Sequence, residues 1–247
     1  KWHKKHNNRD NVIIASKGGM DMGQGKTDVT KKYLIKACED SLKRLQTDYI
    51  DLYQTHRDVE ETPVEEALEA YAQLIKEGKI RYIGASNFSA ARFAEALDAS
   101  KKNNLPRYET LQPLYNLCAR EVYEKELEPL CVKNNISVLN YFALASGFLT
   151  GKYRNKNDLS KSVRGDRVEH FLNEKGLRIL KALDEVAAMQ KSTCAGIAIA
   201  WLLHRPSITA PIASATNLQQ LDSIIKSVEI KLTKEEVALL DKASIDN

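Results

Sequence analysis

The chain has 247 residues, enough for one barrel-sized domain or two ordinary ones. Apolar residues make up 43% and charged residues 28%, with few prolines, so a sizeable core is affordable and disorder is not expected. The net charge of +4 is small and unclustered, which gives no reason to expect nucleic acid, and no apolar run approaches the length of a transmembrane helix. Cys38, Cys118, Cys131 and Cys194 show no CxxC pair and no regular spacing. That pattern fits reduced thiols in a cytoplasmic protein better than a disulfide framework.

The first residues, Lys1-Trp2-His3-Lys4-Lys5-His6, carry no initiator Met and no signal-peptide pattern, and read as the exposed end of a helix leading into a strand. His3 and His6 share a helical face, but a solvated helix end explains them, and no metal site is expected. A strand over 12–17 ends on Lys17. Thr30 then caps a helix to about Leu45. A strand over 49–56 ends on His56. Thr62-Pro63-Val64-Glu65 has the form of a capping box with proline at the first helical position, and its helix stops at Gly78. A strand over 80–86 leads to Ser86-Asn87, and Ser89 caps the next helix to about Ser100. A strand over 108–112 ends on Gln112, a helix follows over 123–133, and a strand over 136–142 reaches Tyr141. Helices are expected over 172–189, from Thr193 to before Pro206, over 218–227 and after the capping box Thr233-Lys234-Glu235-Glu236. Between them lies a sixth strand, 208–213, whose Pro211 is tolerated only at its end.

Alternating strands and helices imply a parallel sheet with helices outside it. The polar endpoints Lys17, His56, Asn87, Gln112 and Tyr141 lie 39, 31, 25 and 29 residues apart, about one strand-loop-helix-loop unit each. In a ring of parallel strands such endpoints converge on one mouth, where barrel enzymes do their chemistry. Six strands would leave two long unpaired edges. Either the sheet is open and doubly wound, or the two strands an eight-stranded barrel still needs precede Lys1. No repeat, low-complexity tract or linker divides the chain, so residues 1–247 read as a single domain.

Each endpoint has a structural and a chemical reading. Lys17, before Gly18-Gly19, is a solvated strand-end lysine, or an ammonium that lowers the pKa of a nearby hydroxyl, or a Schiff-base nucleophile. His56 is satisfied by a backbone carbonyl, or donates to a substrate oxygen. Ser86 and Asn87 suit a turn capping the next helix, but together with Gln112 they also offer amides to a ligand carboxamide. Tyr141 packs in the core or stacks on a flat ring. The glycine-rich 146–153 segment is not a P-loop, since three residues separate its glycines and Tyr153 follows Lys152; a basic loop over an anionic cofactor remains the functional reading. Asn217 caps a short helix whose free amides would hold a phosphate.

Six segments, in order, resemble the aldo-keto reductase superfamily: Val12-Ile-Ile-Ala-Ser-Lys17, Ser41-Leu-Lys-Arg-Leu-Gln-Thr-Asp-Tyr-Ile-Asp-Leu-Tyr-Gln-Thr-His56, Gly78-Lys-Ile-Arg-Tyr-Ile-Gly-Ala-Ser-Asn-Phe88, Gln112-Pro-Leu-Tyr-Asn116, Ala145-Ser-Gly-Phe-Leu-Thr-Gly-Lys-Tyr153 and Ala213-Ser-Ala-Thr-Asn-Leu-Gln-Gln-Leu221. The likeness is nearest to the branch of bacterial reductases and potassium-channel β-subunits. It implies a (β/α)8 TIM-type barrel whose first two strand units precede this chain, and NADPH as cofactor, with NADH as the alternative. It matches Lys17 and His56 to two members of the catalytic tetrad. Ser86, Asn87 and Gln112 match the carboxamide holders and Tyr141 the stacking ring. Leu144, Ser146, Gly147, Lys152 and Arg164 match the pyrophosphate and ribose clasp, and Ser214, Thr216 and Gln220 the 2′-phosphate end.

The sequence departs from the family at Phe142-Ala143, where Ser-Pro is common, at Ser214, where glycine is frequent, and at Ser223-Ile224, where Glu-Asn often touches adenine. The tetrad's tyrosine and aspartate belong to the first two units, and no tyrosine here is assigned that role. The implied reaction is hydride transfer to an aldehyde or ketone, and the chain as written is expected to be inactive. The alternatives are a Schiff-base aldolase or lyase using Lys17, and an oligomeric NADPH-binding regulatory subunit of low turnover.

Overall fold

The computed structural model describes residues 5–162 and 165–245 of the chain. Strands β1 (Ala15–Gly18), β2 (Ile50–Thr55), β3 (Ile80–Ser86), β4 (Thr110–Gln112) and β5 (Ser137–Val138) lie in the sheet in chain order. The first four are parallel. The described helices are α1 (Lys31–Leu45), α2 (Val64–Lys76), α3 (Ala90–Asn103), α4 (Glu128–Asn134), α5 (Glu174–Met189), α6 (Cys194–Leu203), α7 (Leu218–Lys226) and α8 (Lys234–Ser244). Strand order never reverses, so the doubly wound alternative, which needs a reversal point, is excluded for these strands. The closed eight-stranded barrel is met only in part: the architecture is α/β and parallel, but the five strands form an open sheet. No single helix among the described residues is long and apolar enough to cross a membrane.

Two compact units divide the chain: residues up to Gln112 together with Leu130–Ser137, and Pro113–Pro129 together with residues from Val138 onward. In the first, α1, α2 and α3 bury Leu34, Cys38, Leu68, Tyr71, Leu74 and Phe93 beside Ile50, Tyr53, Ile83 and Leu111 of the strands. Each such side chain contributes about 1.5–3 kcal/mol on leaving water. Thr55 holds the phenols of Tyr71 at 2.6 Å and Tyr108 at 2.8 Å, so the hydroxyls of these two tyrosines are satisfied inside the aromatic layer. In the second unit Ile179, Leu183 and Val186 of α5, the apolar run of α6 around Trp201, and Leu240 of α8 form the core.

Most helix signals hold. Thr30, Ser89, Thr193, Asn217 and Thr233 all accept a backbone N–H as N-caps, and Gly78 takes φ +70° just past α2; Asn173, which the sequence reading did not single out, caps α5 in the same way. The box at Thr62 is a correction. Pro63 itself is the cap residue, no side chain caps α2, and the carboxylate of Glu66 instead accepts the Lys31 amide at 2.8 Å, capping the neighbouring α1. The helix expected over 123–133 begins as a π-helical turn, Tyr123–Leu127, and continues as α4. The strand expected over 208–213 is only an isolated bridge from Ile208 to Val138, although beyond Pro211 the Ile212 amide still donates to Asn140 O at 2.9 Å.

Candidate active site

Parallel pairing brings four endpoints of the first unit together. The register sets Lys17 beside Gln54, Gly18 beside Thr55, and Ser86 beside Gln112. The His56 amide extends the β1–β2 ladder by donating to Gly18 O at 2.8 Å. Because successive strand residues alternate faces, Lys17, Gln54, His56, Ser86 and Gln112 share one side. The Lys17 ammonium donates to Gln112 Oε1. Gln112 Nε2 donates to Gln54 Oε1 at 3.2 Å, and Ser86 Oγ donates to the Gln112 carbonyl at 2.9 Å. Asn87, with φ +56°, turns its Nδ2 onto His56 O at 2.9 Å and Ser86 Oγ at 3.2 Å. Asparagine tolerates that left-handed backbone better than most residues. The turn-and-cap reading of Ser86-Asn87 therefore does not hold, since Ser89 caps α3 and both side chains face the strand ends.

Electrostatics follow from this crowding. Lys17 is half-buried, and desolvation lowers its pKa from the ordinary lysine value. The His56 pKa is also lowered, first by burial, then by the nearby charges of Lys17 and Arg57. A neutral imidazole has one N–H donor and one acceptor nitrogen. Behind His56, Arg92 clamps the loop that leaves β2. It grips Asp58 with two bonds of 2.8 and 3.0 Å and donates to Thr62 O at 2.9 Å.

The second unit holds the other candidates. Tyr141 bridges to Leu114, and its ring meets Phe142 edge-on with centroids 5.2 Å apart. Ala145, Ser146 and Gly147 are successively left-handed, at φ +46°, +57° and +98°. The turn is pinned by Gly147 N to Leu144 O at 2.8 Å and Thr150 Oγ1 to Gly147 O at 2.7 Å. The Lys152 side chain lies over Gly147, whose missing Cβ would stand 3.7 Å from Nζ. A tight turn of backbone amides beside a cation is suited to an anion. Ser214 and Thr216 are exposed; Thr216 donates from N and Oγ1 to Gln220 Oε1, and Asn217 caps α7 through the Gln220 amide at 2.9 Å. Arg164 and His3 lie outside the described residues. Among those described, no group of three or more His, Cys, Asp or Glu is placed to hold a metal.

Gln54 is the residue that the sequence reading missed. Its signal was present: a buried-strand amide two positions before His56, hence on the same face.

The sequence profile described as the Aldo/keto reductase family matches residues 1–245. L-glyceraldehyde 3-phosphate reductase of Escherichia coli strain K12 is 31% identical over 247 residues, covering 96% of this chain and 71% of that protein. The "Uncharacterized oxidoreductase YrpG" of Bacillus subtilis is 35% identical over 242 residues, covering 94% and 72%. The "Probable voltage-gated potassium channel subunit beta" of Arabidopsis thaliana is 32% identical over 232 residues, covering 90% and 70%.

Proposed function

This chain belongs to the aldo/keto reductase family and is an oxidoreductase of that family, and from that premise we propose that it reduces aldehydes or ketones to alcohols with NADPH, NADH being the alternative cofactor. The observation that carries the reading is the contact of Lys17 with Gln112 at strand ends that also hold His56, Ser86 and Asn87.

The donor chemistry fits such a cofactor. In the first unit, Ser86, Asn87 and Gln112 offer a hydroxyl and two amides to a carboxamide. In the second, the left-handed turn at Ala145–Gly147 with Lys152 suits a phosphate, and the reading gives Leu144 and Arg164 the same clasp. Tyr141 supplies a flat apolar face. Ser214, Thr216 and Gln220, at the start of α7, take the 2′-phosphate end. A bound reduced nicotinamide supplies the hydride.

The chain's own residues then handle charge. The Lys17 ammonium places positive charge where a carbonyl oxygen becomes negative, and it lowers the pKa of a hydroxyl beside it. His56, kept neutral by burial and by Lys17, orients the oxygen through its one N–H rather than adding a second charge. No residue of this chain is assigned the proton donor's role.

Quenching of tryptophan fluorescence by NADPH tests the cofactor. Oxidation of NADPH with a generic aldehyde, measured on the protein as its gene encodes it, tests the reaction. Binding with Lys17-dependent turnover supports the reading; binding without turnover favours the regulatory alternative. The lysine's depressed pKa also suits a Schiff-base nucleophile. Borohydride trapping of a carbonyl substrate on Lys17, with no effect of NADPH, would overturn the reductase reading.

A further inference from the structure

Gln54 has no place in the scheme above, yet it is 1% exposed and polar. Burying an amide is costly unless it bonds, so its position needs a reason. Its Oε1 accepts Gln112 Nε2 at 3.2 Å, while its own Nε2 has no partner among the described residues. The two glutamines sit on β2 and β4, with β3 between them. They meet because the intervening residue is Gly84, the register partner of Gln54. A Cβ at residue 84 would stand 3.1 Å from Gln54 Cγ and closer still to Thr110 Oγ1. Gly84 is not at positive φ, so the requirement is for space rather than backbone freedom.

The consequence is directional. A primary amide is nearly symmetric in shape but not in chemistry: one end donates and the other accepts. With its NH2 given to Gln54 Oε1, Gln112 must turn its oxygen to the Lys17 ammonium. The Lys17 ammonium, which can only donate, asks for the same orientation, so Gln54 and Lys17 hold the Gln112 amide from its two ends.

We propose that Gln54 is a positioning residue: reaching over Gly84, it holds the Gln112 amide in the one orientation that presents its oxygen to Lys17 and, in the reductase reading on which this rests, to the NH2 of a nicotinamide carboxamide. Replacing Gln54 by Leu keeps the volume and removes the acceptor. Replacing it by Glu keeps acceptor oxygens.

Two measurements test this. The first is NMR of the Gln112 side-chain NH2, assigned with Gln112→Glu, in protein without cofactor. Wild type and Gln54→Glu should show a hydrogen-bonded NH2 slow to exchange with solvent, and Gln54→Leu a fast-exchanging one. The second compares affinity for NADPH with affinity for its nicotinamide-free fragment, ADP-ribose 2′-phosphate. Gln54→Leu should weaken NADPH about tenfold, the scale of one hydrogen bond, and leave the fragment unchanged, with Gln54→Glu restoring most of the loss. A Gln112 NH2 equally protected in wild type and Gln54→Leu overturns the proposal, as does equal weakening of NADPH and fragment. A wild type that binds neither nucleotide overturns the cofactor reading alone, since the NH2 measurement stands without it. Thermal melting identifies a variant that has failed to fold, in which case Gln54→Met, also without an acceptor, replaces Leu.

Discussion

The strand ends of the first unit and the start of α7 in the second contain the same kinds of residue, serines, threonines and amides, but are organised in opposite ways. At the strand ends the contacts mostly span the sequence, Lys17 to Gln112, Gln112 to Gln54 and Asn87 to His56, with Asn87 to Ser86 a local one. The groups are buried or half-buried, and each orientation is fixed by another strand. At the start of α7 the bonds are local, Thr216 to Gln220 and Gln220 to Asn217, although further along the helix Ser223 Oγ meets Thr193 Oγ1 at 2.7 Å. No residue of that helix is buried, and Leu218 is 82% exposed. Preorganised charge belongs where reorganisation is costly, whereas an exposed helix end can grip an anion with a local turn. In the proposed reading the first region serves the chemistry and the second the holding of the cofactor.

The largest expected effect separates the two regions by activity. In the protein as its gene encodes it, Lys17→Met and His56→Ala should each lower kcat about 10²–10⁴-fold, the usual contribution of a positioned acid–base or electrostatic group, with NADPH affinity little changed. Gln220→Ala should instead weaken NADPH and leave kcat near its original value. Steady-state kinetics with varied cofactor would break the comparison if both sites altered kcat alike.

Next comes stability. Arg92 and Asp58 are 14% and 11% exposed, so Arg92→Ala leaves a largely desolvated carboxylate and should cost about 3 kcal/mol. The Lys226–Asp222 pair on α7 is exposed on both sides, and Lys226→Ala should give no measurable change in the urea midpoint. Asn217→Ala, which removes the α7 cap, should cost about 1 kcal/mol. Equal costs for Arg92→Ala and Lys226→Ala would erase the contrast.

The smallest effect is a pH slope. His56 has a folded pKa below its ordinary 6.5. Between the folded value and 6.5 the unfolded chain binds a proton that the folded chain resists, so stability falls as pH drops through this window and is unaffected by this group above it. Urea unfolding at several pH values should show that slope in wild type and lose it in His56→Gln. An NMR titration placing the imidazole above 6.5 would contradict the burial argument.

How much of this could be read in advance differs residue by residue. Lys17, His56, Ser86, Asn87 and Gln112 were visible as polar ends of apolar runs, because a strand buried along most of its length makes a polar stop conspicuous. Thr30, Asn217 and Thr233 were visible because a cap is a local bond between a side chain and an amide three residues on. Thr62 misled because the helix starts one residue later than the box requires, so that Pro63, which has no side-chain acceptor, is the cap residue. The strand at 208–213 misled because its apolar composition suggested a full ladder, where the structure makes one bridge and a few backbone bonds.

The sequence by itself determined the alternation of elements, most caps, the positions of the strand ends and the family. Those depend on interactions between near neighbours or on pattern. Tertiary structure alone decided that Gln54 meets Gln112 over Gly84, that Asn87 faces His56 rather than capping α3, and that burial and the nearby Lys17 lower the pKa of His56. Each of these depends on which strand lies beside which, a long-range fact that hydrogen-bond register creates and that no short stretch of sequence contains.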